Sequence, residues 1–164
     1  MSVILKPLAE SDFPVVKEIY DWYIVNSTAT FHTEPISVDE LKSFIYIGDA
    51  RFCSFLVEVD GSTVGYSYLT RYKNRQAYDR TAEITLYLKH GFTGKGIGTA
   101  VVGQMEQIAR QGGIKTLLAI VTGENDNSIR LFEKNGYGKC AHFKRVGEKF
   151  GRVLDVLGFQ KELE

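Results

Sequence analysis

Cysteine is almost missing from this chain. Cys53 and Cys140 are the only two in 164 residues, they lie far apart, and neither belongs to a CxxC pair. A disulfide scaffold and a zinc ribbon are excluded on that count, and two isolated thiols suit a reducing compartment, so the expected location is the cytoplasm. Proline is equally scarce, at three residues, and no low-complexity tract occurs, which argues against disorder. No apolar run approaches the ~20 residues needed to cross a bilayer. The first residues, Met1 to Phe13, include Lys6, Glu10 and Asp12 and lack the apolar centre of a signal peptide. Without export, the glycosylation pattern Asn26-Ser27-Thr28 is chance. An excess of one charge is missing too: twenty basic residues face twenty acidic ones, so no nucleic-acid or membrane partner is expected. The three histidines, His32, His90 and His142, form no HxxxH or HExxH, and no metal is expected. No GxSxG nucleophile elbow occurs, which weakens a hydrolase reading.

What is present is enough for one core. At 44% hydrophobic residues, a chain of this length buries roughly 70% of its unfolded surface, and a single domain over 1–164 is expected. Val3 to Leu5 reads as a strand. Ser11 is positioned to cap a helix running to about Val25, with Phe13, Val16, Ile19, Tyr20 and Tyr23 on one stripe. Ser37-Val38-Asp39-Glu40 is a capping box that opens a second helix. Phe52 to Val59 and Val64 to Tyr72 flank the hairpin signal Asp60-Gly61-Ser62-Thr63. After a polar loop, Thr81 to Leu88 alternates: Ala82, Ile84, Leu86 and Leu88 on one face, Glu83, Thr85 and Tyr87 on the other. A glycine-rich turn, Gly91 to Gly98, opens a third helix that ends at Gly112-Gly113. Thr116 to Thr122 is a buried strand, Asn127 to Asn135 a short helix, and Lys139–Arg145 and Leu154–Lys161 close the chain as strands. The order β-α-α-β-β-β-α-β-α-β-β makes an α/β domain: a mixed sheet with helices on both faces.

Three features could carry chemistry. Gly94-Lys95-Gly96-Ile97-Gly98 joins a strand to a helix, where bare backbone and helix amides favour phosphate oxygens. It matches neither GxxxxGK[ST] nor GxGxxG, so the ligand is neither the usual nucleoside triphosphate nor a dinucleotide, and a plain turn remains an alternative. Glu83 places a carboxylate on a strand that otherwise looks central. Such a group is solvated, paired or used, and the used form is a general base raised by partial burial. Asn125-Asp126-Asn127-Ser128 follows a buried strand and reads either as a helix cap or as an amide and a hydroxyl that hold a ligand's polar stem.

Together these residues resemble the GNAT family of N-acetyltransferases over nearly the whole chain. Thr93-Gly94-Lys95-Gly96-Ile97-Gly98 is similar to that family's [QR]-x-x-G-x-[GA] pyrophosphate loop. The run from Asn125 to Tyr137 is similar to its N-x-x-S-x-x-L-[YFH]-E-x-x-G-[FY] signature. Arg75 to Leu88, Ala29-Thr30-Phe31 with Glu34-Pro35, and Lys149-Phe150-Gly151-Arg152 with Leu154-Asp155 and Gln160 resemble the phosphinothricin and methionine sulfoximine acetyltransferase branch. The resemblance implies a largely antiparallel GNAT-like sheet, acetyl-CoA as co-substrate, no metal, and commonly a homodimer. It implies that Gly94, Lys95, Gly96, Ile97, Gly98 and Thr99 hold pyrophosphate. Leu86, Tyr87, Leu88, Asn125 and Ser128 would hold the pantetheine arm. Thr30, Phe31, Glu34, Arg75, Gln76, Ala77 and Tyr78 would grip a small-molecule amine acceptor, with Glu83 as catalytic base. The implied activity is acetyl transfer to the α-amine of a phosphinothricin- or methionine sulfoximine/sulfone-type acceptor. The alternatives are transfer to a protein N-terminus or a polyamine, or a sensor of CoA or an amino acid without turnover; a sensor has no use for Glu83 as a base. Three departures stand out: Thr93 for the usual Gln or Arg, Val153 for an aromatic residue, and Phe132 where many relatives carry a proton-donating Tyr. Phe132 cannot donate, which leaves water or another Tyr.

Overall fold

The computed structural model describes residues 1–164. The expected order of elements holds: β1 (Val3–Pro7), α1 (Phe13–Asn26), α2 (Val38–Lys42), β2 (Ser54–Val59), β3 (Ser62–Arg71), β4 (Thr81–Leu88), α3 (Ile97–Gln111), β5 (Thr116–Thr122), α4 (Asp126–Lys134), β6 (Gly138–Lys149) and β7 (Arg152–Glu162). The seven strands form one sheet, ordered β1-β2-β3-β4-β5-β7-β6. Every pairing is antiparallel except β4 with β5.

Strand alternation divides the apolar residues between two cores. On one face, Val57, Leu69, Ala82, Ile84, Leu117 and Phe159 pack with Ile97, Val101, Met105 and Ala109 of α3 and Phe132 of α4. On the other, Leu56, Tyr66 and Tyr68 pack with Phe13, Val16, Ile19, Tyr20 and Ile24 of α1 and Leu41 of α2. Each strand residue sends its side chain to the face opposite its neighbour's, so the two cores meet only through the backbone of the sheet.

Local signals decide most boundaries. Ser37 accepts from the Glu40 amide at 3.1 Å, forming the expected capping box. The β2–β3 turn is tighter than the expected four residues: Asp60 and Gly61 suffice, both at positive φ (50° and 84°). That pair of dihedrals is the two-residue turn whose twist matches a hairpin. The start of α1 differs from expectation. Ser11 does not cap it; Glu10–Asp12 form a 3-10 turn, and the Asp12 carboxylate accepts from the Ala9 amide at 2.9 Å. That bond closes the 3-10 turn; the N-terminus of α1 itself has no side-chain cap and carries Pro14 in its first turn. β6 also runs further than expected, because two register shifts and a positive φ at Arg145 carry the ladder past a bulge to Lys149.

Gly65 lies where β3 passes β4 most closely. A Cβ there would stand 2.3 Å from the Tyr87 carbonyl oxygen and 2.9 Å from a Leu88 methyl. A backbone carbonyl cannot move aside without breaking the β3–β4 ladder, so Gly65→Ala should destabilise by about 1–3 kcal/mol. The urea midpoint should fall with an unchanged slope; an unchanged midpoint would show that β4 has more freedom than this packing allows.

Candidate active site

β4 and β5 pair in parallel at only three positions, Thr81↔Thr116, Ala82↔Leu117 and Glu83↔Leu118. Beyond them the strands part, because β4 continues to Leu88 against β3 while β5 continues to Thr122 against β7. The Lys89 amide donates to the Val64 carbonyl at 2.7 Å. Antiparallel alternation then turns the amides and carbonyls of Ile84, Leu86 and Leu88 away from β3, toward the gap. The gap is a cleft of about 710 Å³, and Ile84 to Leu88 form one wall of it.

At its mouth the chain makes the glycine turn. Gly94 and Gly96 have φ of +72° and +84°, and nothing lies within 4 Å of where a Cβ would point at either. Gly96 is the N-cap of α3 and supplies no side-chain cap. The first capped amide is that of Ala100, which donates to Gly96, so those of Ile97, Gly98 and Thr99 make no hydrogen bond within the chain. A 15-residue helix therefore presents its positive end and orphan donors beside the cleft.

The facing wall comes from α1, the loop after it, β5 and α4. Trp22, Tyr23, Asn26, Ser27, Ala29, Ile120, Asn125, Ser128 and Phe132 all line the cleft. Trp22 stacks on His90 at 4.8 Å, and the Tyr23 hydroxyl donates to the Leu88 carbonyl on the open edge of β4. Asn125 caps α4, its Oδ1 accepting from the Ser128 amide at 3.2 Å, and the residue also lines the cleft. Phe132 is buried, edge-to-face with Tyr137 at 5.0 Å, and offers no proton. The cationic side chains on the wall are Arg130 and Lys134; no carboxylate lines it.

Glu83 shares a face of β4 with Thr85 and Tyr87. It is half-buried, and burial raises its carboxyl above the usual range, with the Lys73 ammonium opposing that rise. The carboxylate is not on the cleft wall itself. Thr85, two residues on and so ~7 Å away along the strand, is. Burial likewise raises the phenols of Tyr20, Tyr23, Tyr66 and Tyr87, so these four side chains stay neutral.

The structure gathers most of the residues expected to hold a cofactor: Leu86, Tyr87, Leu88, Gly94, Gly96, Gly98, Thr99, Asn125 and Ser128 line one cleft, and Thr93 joins them. Three contribute differently from expectation. The Lys95 ammonium sits over the Phe92 ring, and the Ile97 side chain is core, which leaves only its amide for a ligand. The Tyr87 backbone faces β3, so its ring rather than its peptide meets the cleft. Arg75, Gln76, Ala77 and Tyr78 occupy an exposed 3-10 turn outside the cleft wall, with Tyr78 edge-on to Tyr72. Thr30 is buried and bonded to the Tyr20 hydroxyl at 2.6 Å, while Phe31 and Glu34 are exposed. Sequence reading overlooked Tyr23, Asn26, Ser27 and Ile120 as wall residues. Tyr23 falls on the apolar stripe of α1 and so reads as core, whereas Ile120, an exposed apolar residue in a buried strand, has no local signal.

A parted pair of parallel strands, an uncapped helix N-terminus and a carboxylate on the neighbouring face define the site of an acyl-transfer enzyme. Residues 16–137 match the acetyltransferase (GNAT) family, and the chain belongs to it; the protein is an acetyltransferase. It is 31% identical over 162 residues to phosphinothricin N-acetyltransferase of Streptomyces viridochromogenes, a match covering 99% of this chain and 88% of that one. It is 25% identical to the L-methionine sulfoximine/L-methionine sulfone acetyltransferase of Pseudomonas aeruginosa, across 100% of this chain and 96% of that one. A GNAT-superfamily phosphinothricin acetyltransferase from Sinorhizobium meliloti, solved in complex with AcCoA, superposes with a TM-score of 0.90 at 26% identity, covering 99% of this chain and 89% of that one.

The raised Glu83 carboxyl has a consequence for stability. Because the native state holds this proton more tightly than the unfolded chain, the group's contribution is complete below about pH 4.3, the free glutamate value, and is lost as pH rises through the native pKa. Glutamine carries no such penalty. Glu83→Gln should therefore gain in melting temperature relative to wild type as pH rises from 4 to about 7. A gap that stays constant or narrows across that range would mean that Glu83 is solvated in the native state.

Proposed function

We propose that the protein transfers the acetyl group of acetyl-CoA to the α-amine of a small amino-acid-like acceptor of the phosphinothricin or methionine sulfoximine/sulfone type. The observation that carries this reading is the meeting, in one cleft, of the open β4 edge, the uncapped α3 N-terminus and the Glu83 face. The acceptor class is supported by relatives of that activity along the full chain.

The residues present fit acetyl-CoA. Three orphan amides and the space in front of Gly94 and Gly96 suit pyrophosphate oxygens. The outward amide and carbonyl of Leu86 and the amide of Leu88, whose carbonyl Tyr23 already holds, suit an extended pantetheine arm, which carries amides of its own and can pair as a strand would. A thioester lying along that edge has its carbonyl within reach of a β4 amide, which stabilises negative charge on the oxygen as the amine adds. The amine attacks only when neutral. Glu83 takes its proton through a water, because Thr85 rather than the carboxylate lies at the wall. The nitrogen–carbon bond forms, the carbon–sulfur bond breaks, and the electron pair leaves on sulfur. A thiol with a pKa of about 8.5 departs as thiolate without a protein donor, so Phe132 in place of Tyr is tolerable and solvent supplies the proton.

Thiol release from acetyl-CoA should be seen with methionine sulfone, methionine sulfoximine or phosphinothricin, and not with a polyamine or a peptide. A protein active only on the last two, or on none, would overturn the assignment. Glu83→Gln should lower turnover on methionine sulfone by about 10²–10⁴-fold at neutral pH with little change in acetyl-CoA affinity, and the loss should shrink at high pH, where more amine is already neutral. Wild-type turnover in this variant would make Glu83 a structural carboxylate. Gly96→Val puts a β-branched side chain at φ +84° and fills the space before the α3 amides. Acetyl-CoA affinity should drop by about tenfold or more by calorimetric titration, with the far-ultraviolet circular dichroism retained. Undiminished affinity would remove the turn from the binding site.

A further inference from the structure

Residues 27–30 join α1 to the rest of the chain, and Ser27 and Ala29 line the cleft. Each of the four carbonyls in this segment is taken by a side chain from a distant strand. The Lys149 ammonium, at the end of β6, donates to the Ser27 carbonyl at 2.7 Å and to the Thr30 carbonyl at 2.8 Å. The Thr122 hydroxyl, at the end of β5, donates to the Thr28 carbonyl at 2.5 Å. The Tyr87 hydroxyl, from β4, donates to the Ala29 carbonyl at 3.3 Å. The Thr28 hydroxyl in turn donates to Glu124 at 2.6 Å, and Glu124 is held by Arg152 at 2.7 Å.

Of the donors to these carbonyls only Lys149 is charged, and it holds two of them at once. Its side chain is buried, with 3% of its surface exposed, and it pairs with no carboxylate. Besides the two carbonyls it has only the Phe150 ring, 5.1 Å from its nitrogen, and burying an ammonium without a carboxylate is expensive, so stability alone would be better served by an apolar residue. Burial lowers its pKa, the direction that cost requires. Sequence position gives no hint of the contact: Lys149 lies about 120 residues from the loop, just before the two-residue turn Phe150-Gly151, whose φ values of 55° and 71° close the β6–β7 hairpin.

Which ligand would notice the loop is decided by the face it sits on. Tyr87, which holds Ala29, projects from the same face of β4 as Glu83, whereas the glycine turn and α3 lie on the other. A loop fixed on the face of the base bounds the space from which the amine approaches, not the space of the pyrophosphate.

We propose that Lys149 is a positioning residue for the acceptor: by holding the Ser27 and Thr30 carbonyls it sets the loop against which the amine substrate is aligned. The proposal rests on the acetyltransferase reading above and extends it to a residue outside the cleft wall. Lys149→Met keeps the length of the side chain and removes both the charge and the donors; Lys149→Arg keeps both. With methionine sulfone as acceptor, Lys149→Met should raise the acceptor KM by about tenfold or more while the calorimetric Kd for acetyl-CoA stays within about twofold, and Lys149→Arg should recover part of the loss. A purely structural lysine would instead lower the active fraction, leaving the acceptor KM alone or weakening acetyl-CoA to the same degree; either result overturns the proposal. If Lys149→Met does not fold, Thr122→Val releases the Thr28 carbonyl at nearly constant volume and should show the same split at smaller size. An unchanged acceptor KM there counts equally against the proposal. Hydrogen–deuterium exchange separates this idea from the choice of acceptor. Even if wild type ignores methionine sulfone, Lys149→Met should speed exchange at residues 28–31 and not at 94–99, and identical protection at both would overturn it.

Discussion

The parting of β4 from β5 is the constraint on which the site depends. Parallel strands normally continue their ladder, since each unpaired amide or carbonyl removed from water costs free energy. Here the ladder ends after Glu83↔Leu118 and the strands diverge, β4 following β3 to Leu88 and β5 following β7 to Thr122 on their outer edges. Two antiparallel ladders diverging from one short parallel contact leave a wedge. Its walls carry free main-chain groups of alternating polarity, which suit an extended amide-bearing ligand. The same divergence delivers the N-terminus of α3 and the N-terminus of α4 to the wedge, since each helix begins where a parted strand ends.

The two cores divide the work. The α3 side is mostly aliphatic, with Ile97, Val101 and Met105 fully enclosed, and it fixes where the uncapped helix end points. The α1 side is rich in tyrosine: Tyr20, Tyr66, Tyr68 and Tyr87 form a connected aromatic group through edge-to-face and stacked contacts. A carboxylate beside such a group loses water without gaining a strong cation, and its proton affinity rises. That is the condition a general base for an amine requires. In the proposed reaction Phe132 has no proton to donate and none is required, because a thiolate is stable enough to depart unaided.

The 27–30 segment shows a different economy. A loop that must face a ligand cannot bury its backbone in a ladder, yet its carbonyls still need donors. Side chains from three strands supply them, and the loop acquires a fixed shape without secondary structure of its own. Because β4 and β5 also wall the cleft, the loop and the open edge of β4 are held in one frame.

Much of this was legible in the chain. The bounds of β4 and β5, the Ser37 capping box, the glycine turn before α3 and the Asn125 cap of α4 all follow from patterns spanning fewer than ten residues, where propensity and capping chemistry act directly. Other features depend on which segments meet. Ser11 caps nothing because residues 10–12 form a 3-10 turn ahead of α1, and β6 outran its expected end because β7 held it through a bulge at Arg145. The exposure of Ile120, the passage of Lys149 to the loop after α1 and the point at which β4 leaves β5 have no local signature at all. Sequence patterning determined the elements and the chemical groups they carry. Only the tertiary structure decided which edge stayed unpaired and which carbonyls were held, because those outcomes are set by how segments distant along the chain come together.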